Sequence, residues 1–332
     1  MGDVALAAPV LKALKEQYPD VETILVTRKS FNAFFHQDKS LILFNPDFNE
    51  RHKGLRGILR IFKDIRAIGK IDHVIDIHDV LRTKILSLIF RLNGTKVSVI
   101  DKGRKEKKNL IKGKRKIQLK HTVGRYCDTF AKAGFKISPE KGPSIFVSQV
   151  AENIAHKFIG DVSLKNIGIA PFARHTLKMW PEENLIDLLN IISGEHNIRF
   201  WFFGGKEEYD RIQDLASKIP GSMNLSGKIN LEEELAIISR LDLMIAMDSS
   251  NMHMATLCGT KVVSIWGGTD PLIGFGAWNQ PPEYSIRIPV EELTCRPCTV
   301  FGKGTCRRGD LACMNWLTPG KVYSDIKKLN IL

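Results

Sequence analysis

A chain of 332 residues with 43% hydrophobic content is long enough for two domains of ordinary size, each with its own core. It has no internal repeat and no low-complexity tract, and no apolar run approaches the length of a membrane span. Lysine and arginine exceed the acids by thirteen, which indicates an anionic partner: nucleic acid, a membrane surface or a phosphorylated substrate.

The chain begins with the pattern of an amphipathic helix. Apolar residues recur at helical spacing from Val4 to Leu14. A secretory signal would start with positive charge, whereas Asp3 is an acid. Pro9 predicts a kink there or a helix that starts later than Asp3. Gly2 would let another group approach the backbone closely, and Asp3 is either an ordinary helix cap or a general base at a cleft.

The first half alternates strands and helices. Near-continuous apolar runs are typical of parallel sheets that are buried on both faces. Polar residues near 150–160 favour a domain boundary there. The predicted elements are strands at 22–28, 71–78 and 95–100 and helices at 80–92 and 120–134, the last closed by Gly134.

The second half repeats the alternation, which predicts two doubly wound α/β domains. Pro181 begins one helix, and Thr318 and Pro319 begin the last. The predicted elements are strands at 166–172, 198–205, 242–247 and 261–268 and helices at 180–193, 206–219, 230–241, after 248–251 and at 318–329.

The positive charge is concentrated between Asp101 and Lys120, where eight lysines and two arginines face two acids. Such a run is either a solvated loop or the contact surface of an anionic partner. A nucleic-acid-binding segment would interleave aromatic residues for base stacking, and this stretch contains none. We therefore expect a mobile cationic loop that contacts an anionic acceptor or a membrane surface rather than nucleic acid.

Two loops at the carboxyl ends of predicted strands carry candidate binding groups, although the usual nucleotide fingerprints are absent. In the loop at 248–253, a helix N-terminus with two serines and His253 favours a phosphate group, the alternative being a serine cap and a histidine on the helix surface. In the loop at 170–181, Arg174 and Lys178 could neutralise a leaving pyrophosphate, the alternative being a basic surface loop.

Six cysteines without an export signal suggest a reducing compartment. The last four have the spacing C-x2-C-x7-C-x6-C, which four thiolates of a structural zinc site could adopt. The second pair lacks the tight spacing of a zinc ribbon, so our prediction is no metal, with zinc left as the alternative. These four residues are Cys295, Cys298, Cys306 and Cys313.

Several segments together resemble the ADP-heptose:lipopolysaccharide heptosyltransferases, glycosyltransferase family 9. The similarity runs almost end to end, and the order and spacing of the motifs make it specific. The segments are GDVALAAPVLKAL, VIDIHDVLRTKIL, HTVGRYCDTFAKAG, LKMWP, FFGGKEE and MDSSNMHMATLCGTKVVSIWGGTDP.

The resemblance implies the GT-B fold, in which two Rossmann-like, doubly wound domains face each other across a cleft. We expect an acceptor-binding domain at 1–158, a donor domain at 159–318 and a C-terminal helix at 319–332. The family begins with an apolar strand just before its Gly-Asp, and that first N-terminal strand is missing here. We expect the natural gene to encode it upstream, because the strands at 22–28 and 71–78 would otherwise each lack a ladder partner.

The resemblance also implies roles for individual residues. Asp3 matches the base that deprotonates the acceptor hydroxyl, and the reaction inverts the anomeric configuration. Lys178 matches a lysine beside the donor phosphate and sugar, although Ala173 and Arg174 stand where the family often has small hydroxyl residues. The remaining donor residues are Asp248, Ser249, Ser250 and His253 around the pyrophosphate and Lys206, Glu207 and Ile229 around the nucleoside. The expected acceptor contacts are Arg82, Lys105, Lys107, Lys108, Lys112 and Lys114.

These inferences predict a cytoplasmic enzyme at the cytoplasmic face of the inner membrane. It would transfer heptose from ADP-heptose, its co-substrate, to an anionic, lipid-linked saccharide of the lipopolysaccharide inner core, with no cofactor required. Two alternatives stay open: another GT-B nucleotide-sugar enzyme, or a family member without catalytic activity. A third interpretation is a basic nucleic-acid-binding protein with a cysteine cluster.

Overall fold

The computed structural model describes residues 1–35, 38–114, 116–160 and 164–332. The α-helices are α1 (Gly2–Ala5), α2 (Ala8–Gln17), α3 (Gly54–Ile68), α4 (Leu81–Leu92), α5 (Arg104–Ile111), α6 (Thr122–Ala131), α7 (Gln149–Phe158), α8 (Glu182–Glu195), α9 (Tyr209–Ser217), α10 (Leu231–Ile238), α11 (Ser250–Leu257), α12 (Ala312–Asn315) and α13 (Pro319–Lys328). The strands are β1 (Thr23–Val26), β2 (Leu41–Phe44), β3 (His73–Asp76), β4 (Lys96–Val99), β5 (Lys165–Ala170), β6 (Ile198–Phe202), β7 (Met223–Asn224), β8 (Leu243–Met247), β9 (Val262–Trp266) and β10 (Ser285–Arg287).

The chain forms two compact units that are not contiguous in sequence. The larger unit consists of residues 1–5, 104–121 and 142–332, and the smaller unit consists of residues 6–103 and 122–141. The basic stretch from residue 104 onward therefore belongs to the larger unit, whereas the sequence placed it in the first domain.

The predicted domain boundary at residue 158 falls at the end of α7. Ser148 caps α7 by accepting a hydrogen bond from the backbone N–H of Ala151. Ala151 and Ala155 are buried, and α7 packs against α10 of the same unit. The polar residues near 150–160, from which the sequence predicted a domain boundary, thus belong to the outer face of a helix.

The larger unit contains a six-stranded, fully parallel sheet in the order β10-β9-β8-β5-β6-β7. Every position of β8 and β9 is buried. From β5, the next two strands in sequence, β6 and β7, are added on one side of the sheet. The strands β8, β9 and β10 are then added on the other side. The strand order therefore reverses between β5 and β8, and such a switch point is where open α/β sheets bind ligands.

The smaller unit contains two separate parallel strand pairs. β1 pairs with β2, and β3 pairs with β4, in agreement with the predicted strands at 22–28, 71–78 and 95–100. Among the described residues β1 and β3 are not paired with each other, although Ile24 and Val74 pack on one cluster with Phe90. These strands are only partly buried, contrary to the expectation of two covered faces, because each pair is only two strands wide.

The first helical pattern is divided at Leu6 and Ala7. The short α1 ends before these residues, and α2 begins after them with Pro9 in its first turn. A proline is tolerated there because the N–H it lacks has no partner within a helix. The prediction that the helix starts later than Asp3 is confirmed for α2, while Asp3 itself lies in α1.

No helix in the described part of the chain is both long enough and apolar enough to cross a membrane.

Candidate active site

The loops that follow β5, β8 and β9 lie at one edge of the large sheet. The register pairs Ala170 with Ala246 and Met247 with Ile265, so the three strands end side by side. Because parallel strands share the direction of their carboxyl ends, the loops after them meet above the switch point.

A buried carboxylate joins these loops. Asp248, directly after β8, accepts a hydrogen bond of 2.7 Å from the Thr269 hydroxyl, which follows β9. The same carboxylate pairs with the Lys178 ammonium at 2.8 Å. A buried charge is costly unless it is paired and hydrogen-bonded, and this pair meets both conditions. Asp248 therefore holds the ammonium of Lys178 in place at the strand ends.

The backbone near Lys178 is tied to the same edge. Lys178 lies in a short 3-10 turn, where its N–H donates to the His175 carbonyl at 3.0 Å. The adjacent Leu177 carbonyl accepts a hydrogen bond of 2.8 Å from the Gly268 N–H, just after β9. Lys178 thus lies in a turn whose backbone is held by hydrogen bonds.

The N-terminus of α11 carries two buried polar atoms without a hydrogen-bond partner among the described residues. They are the Ser249 hydroxyl oxygen and His253 Nδ1. Ser249 is the N-cap residue, yet its side chain does not cap the helix. An unsatisfied buried polar group costs about 1–3 kcal/mol, so both atoms favour a hydrogen-bonding ligand at this position. The free N–H groups and dipole of a helix N-terminus favour an anion there.

His253 is buried, with 6% of its surface exposed, so it does not lie on the helix surface. Burial lowers its pKa to about 3, and the positive charges of His121 and Lys178 act in the same direction, while the charge of Asp3 opposes the shift. The imidazole is therefore neutral at physiological pH. It can donate one hydrogen bond as a neutral donor.

Asp3 lies beside this histidine. The helix α1 packs against α11, and a Cβ added at Gly2 would stand 2.9 Å from His253 Cδ2. This close approach agrees with the reason that the sequence suggested for a glycine at this position. Asp3 itself is exposed, so its carboxylate can reach a bound molecule.

The other candidate donor residues lie around the same sheet edge. Lys206 follows β6, and Gly227 approaches it so closely that an added Cβ would stand 2.9 Å from Lys206 Cα. Ile229, which is half-buried, is two residues beyond Gly227. Glu207 and Arg174 have exposed side chains. The structure thus brings the segments of Lys206 and Ile229 together.

The candidate acceptor lysines differ from the expected mobile loop. Residues 104–111 form α5, and Lys107 is buried with its ammonium 4.1 Å from the centre of the Phe275 ring. The helical period places this one lysine on the inner face of α5, so the prediction that Lys107 contacts the acceptor is wrong. Lys105, Lys108, Lys112 and Lys114 are exposed, and Arg115 lies outside the described residues. In the smaller unit, the Arg82 guanidinium stacks 3.9 Å above the Phe48 ring.

The four C-terminal cysteines line one cavity together with Leu177 and Gly268. Within the described ranges, no three His, Cys, Asp or Glu side chains are arranged to hold a metal ion. All six cysteines are free thiols, and burial raises the pKa of Cys313 to about 11. The cysteine-rich segment also touches Lys178: a Cβ added at Gly302 would stand 2.7 Å from Lys178 Cγ.

Sequence reasoning missed three features of this site. The hydroxyl of Thr269 was overlooked, although it lies three residues after β9, the strand next to β8. The contact of Gly302 with Lys178 has no sequence signal. Glu234 on α10 accepts a hydrogen bond of 2.9 Å from the Asn251 amide in the first turn of α11, and burial raises the pKa of Glu234 to about 7.

Comparisons with known proteins identify the family. The model of glycosyltransferase family 9 (heptosyltransferase) matches residues 58–300. The chain is 27% identical to lipopolysaccharide core heptosyltransferase OpsX of Haemophilus influenzae, with 82% of this chain and 78% of the relative aligned. It is 24% identical to lipooligosaccharide heptosyltransferase 2 of Campylobacter jejuni over 99% of this chain and 96% of the relative.

Solved structures show the same fold. The glycosyl transferase family 9 protein from Veillonella parvula matches with a TM-score of 0.77 at 19% identity, covering 99% of this chain and 94% of that one. The E. coli heptosyltransferase WaaC with ADP matches with a TM-score of 0.61 at 20% identity, covering 83% and 88%. The parallel sheets and these neighbours establish the GT-B fold, and with the family match they lead to one conclusion: the chain belongs to glycosyltransferase family 9, the heptosyltransferases, and is a glycosyltransferase.

Proposed function

We propose that this enzyme transfers heptose from ADP-heptose to the inner core of lipopolysaccharide, with inversion at the anomeric carbon. One observation carries the proposal: at the N-terminus of α11, buried polar atoms of Ser249 and His253 have no hydrogen-bond partner within the described part of the chain. The fixed Lys178–Asp248 pair lies at the end of the preceding strand, and Asp3 is near His253. This arrangement supplies an anion site and a carboxylate base together.

The donor pyrophosphate binds at the N-terminus of α11 in this proposal. Its oxygens accept hydrogen bonds from the amide groups of the first turn, including that of Ser250, and from the Ser249 hydroxyl and His253. Lys178 and Arg174 add positive charge. An adenosine diphosphate donor is supported by the solved complexes of E. coli WaaC with ADP and with ADP-2-deoxy-2-fluoro heptose.

The nucleoside lies over the loops after β6 and β7. There Lys206 and Glu207 contact its polar groups, and Ile229 packs against the base. The close approach of Gly227 to Lys206 supports this placement, because it joins the two loops into one surface.

The transfer step uses Asp3 as general base. Its carboxylate takes the proton of the acceptor hydroxyl while the hydroxyl oxygen attacks the anomeric carbon of the donor sugar. The bond from that carbon to the phosphate oxygen of ADP breaks on the opposite face, so the configuration inverts. Lys178 and the helix N–H groups stabilise the negative charge that develops on the leaving ADP, so no metal enters these steps.

The acceptor in this proposal is an anionic, lipid-linked saccharide at the cytoplasmic face of the inner membrane. Arg82 and the exposed lysines at 105, 108, 112 and 114 offer cations for its phosphate and carboxylate groups. Nucleic acid is not a partner in this scheme. The net charge of +13 supports an anionic acceptor.

A donor panel tests the proposal. Binding of ADP-, UDP- and GDP-sugars is measured by calorimetry, and transfer to a delipidated inner-core acceptor is followed with the donors that bind. We expect ADP-heptose alone to give efficient transfer, and NMR of the product to show the anomeric configuration opposite to that of the donor. Preference for another nucleotide, or retention of configuration, would refute the assignment, and tight ADP binding without transfer would identify a silent family member.

A further inference from the structure

The helix α4 carries an uninterrupted apolar stripe on its solvent side. Leu81, Ile85, Leu88 and Leu92 follow one another at intervals of four, three and four residues, which places them on one face. The three leucines have 77%, 53% and 78% of their surface exposed, and Ile85 is partly exposed. The opposite face, with the buried Phe90, already packs against the core of the smaller unit. The helix is therefore apolar on both sides.

The neighbouring α3 also exposes leucines. Phe62 of α3 packs edge-to-face on Phe90 at 4.8 Å, which defines the side of α3 that faces α4. Leu55 and Leu59 precede Phe62 by seven and three residues on that same side, and both are exposed. Exposed apolar groups of this number on two packed helices mark an interaction surface, since monomeric proteins rarely expose such patches without use.

Positive charge surrounds the leucines. The two helices contain seven lysines and arginines and a single acid, Asp64. That acid is already paired with Arg51 at 2.6 Å and with His52 at 3.0 Å. Lys84 and Arg91, both exposed, are seven residues apart and so border the stripe on one side, and Lys84 also forms an ion pair of 3.5 Å with the buried Asp79. The basic residues of the two helices are Arg56, Arg60, Lys63, Arg66, Arg82, Lys84 and Arg91.

We propose that this face of α3 and α4, here named the leucine face, docks on an anionic lipid bilayer. Leucines that enter the headgroup region and lysines and arginines that contact anionic lipids are the two signals that a peripheral protein needs for stable attachment. A second copy of the chain fits less well, because pairing two leucine faces would bring fourteen like charges together. The inference deepens the proposed function, since a lipid-linked acceptor lies in such a bilayer.

Vesicle co-sedimentation tests the leucine face directly. The probe is vesicles of phosphatidylcholine with about one third phosphatidylglycerol, an anionic surface of the kind that attracts basic segments. Leu88→Gln/Leu92→Gln should lower the bound fraction at least about tenfold, because it removes half of the stripe's apolar area. Lys84→Gln/Arg91→Gln should lower it about threefold and weaken its dependence on salt.

Val150→Gln/Met223→Gln is the matched control, because these two apolar residues of the larger unit are 70% and 45% exposed. It should bind vesicles as the unaltered protein does. Thermal melting of each variant checks that the fold is intact.

Two results would overturn the proposal. One is equal sedimentation of the unaltered protein and Leu88→Gln/Leu92→Gln. The other is a dimer in light scattering that this variant converts to a monomer, which would assign the leucine face to self-association. Transfer to a delipidated acceptor should be unchanged in the variant, so a failure of the proposed chemistry would appear in that assay and not in the sedimentation.

Discussion

The two units support their strands very differently. In the larger unit, β8 and β9 are buried at every position within six parallel strands. In the smaller unit, β1 has no buried position and β3 has only Asp76. Buried strands cannot shift without breaking a dense core, whereas strands in two-stranded pairs have fewer neighbours that hold them.

Because of this difference, the larger unit is suited to holding individual charged groups in fixed positions, and the smaller unit is suited to presenting an extended binding surface. The groups that must hold a charge at one point, such as Asp248 and Lys178, lie at the ends of the buried strands. The smaller unit instead presents helices with exposed leucines and basic residues, which suit an extended partner. Function should therefore depend on individual polar atoms in the larger unit, and on total charge and exposed apolar area in the smaller unit.

The largest expected effect is at Asp3. Asp3→Asn should lower the transfer rate by about 10²–10⁴, the usual contribution of a general base, because the amide cannot accept the acceptor proton. Calorimetry should show nearly unchanged ADP affinity, since the α11 site remains. Near-normal turnover of the variant would reduce Asp3 to a helix-terminal residue.

Much of this architecture is predictable from local patterns. The strands β5, β6, β8 and β9 are confirmed because each is a short apolar run, and a proline, a glycine or a polar residue follows it within a few residues. The loop at 248–253 was predicted as a candidate site for the same reason, since a helix N-terminus after a buried strand has a local signature. The fold class followed from the alternation of strands and helices, and the family from the order of motifs.

The errors share one physical cause, which is packing between residues distant in sequence. Lys107 belongs to a charge run, and nothing nearby in sequence shows that its ammonium meets the Phe275 ring. Thr269 becomes a site residue only through the pairing of β8 with β9. The helix α7 was not predicted from the sequence, because its packing partner, α10, comes much later in the chain.

The donor site should show the next largest effects. Lys178→Ala removes a cation and His253→Ala removes a neutral donor, each worth about 1–3 kcal/mol of binding free energy, or about 5–150-fold in affinity. Thr269→Val keeps the shape but removes the hydroxyl that orients Asp248, and should weaken ADP binding about fivefold. Calorimetry with ADP measures all three, and full affinity in both alanine variants would place the nucleotide elsewhere.

The stability of the larger unit should depend on the protonation of Glu234. Burial raises the pKa of this carboxyl from 4.5 to about 7, so the folded state binds the proton more tightly than the unfolded state. Stability should therefore fall as pH rises from about 4.5 to 7, by about 2 kcal/mol after allowing for water access. Glu234→Gln keeps an acceptor for Asn251 and should remove this loss in melts at pH 5 and 8.

Asp64 of the smaller unit serves as a control, because its carboxyl should make stability depend on pH in the opposite direction. The Arg51 guanidinium and then His52 hold the pKa of Asp64 well below its usual range. Its contribution is therefore present at neutral pH and lost in acid. Asp64→Asn should lower stability at pH 7 and leave the loss between pH 5 and 8 intact. Identical pH profiles for the unaltered protein and Glu234→Gln would contradict the role of Glu234.

Alanine substitutions at two glycines of the cysteine-rich segment distinguish the effect of a contact with Lys178 from the effect of backbone strain. Gly302 and Gly304 have φ values of +81° and +99°, so alanine is strained at both. Only at Gly302 would the added methyl meet Lys178; around Gly304 there is open space. Gly302→Ala should weaken ADP binding about tenfold relative to Gly304→Ala, and should add nothing when Lys178 is already alanine. Equal effects of the two glycine variants would remove the segment from the donor site.

The smallest expected effect concerns the exposed lysines near α5. Replacing Lys105, Lys108, Lys112 and Lys114 with glutamine should raise the acceptor KM about two- to tenfold, because each solvated charge contributes weakly and through the summed potential. The donor KM should not change. Lys107→Gln is the matched control: its ammonium is buried on Phe275, so it should lower the melting temperature and leave the acceptor KM alone. An unchanged acceptor KM in the fourfold variant, or a change in the donor KM instead, would show that these lysines of the larger unit do not serve the acceptor. Recognition of the anionic saccharide would then be assigned to Arg82 and the smaller unit.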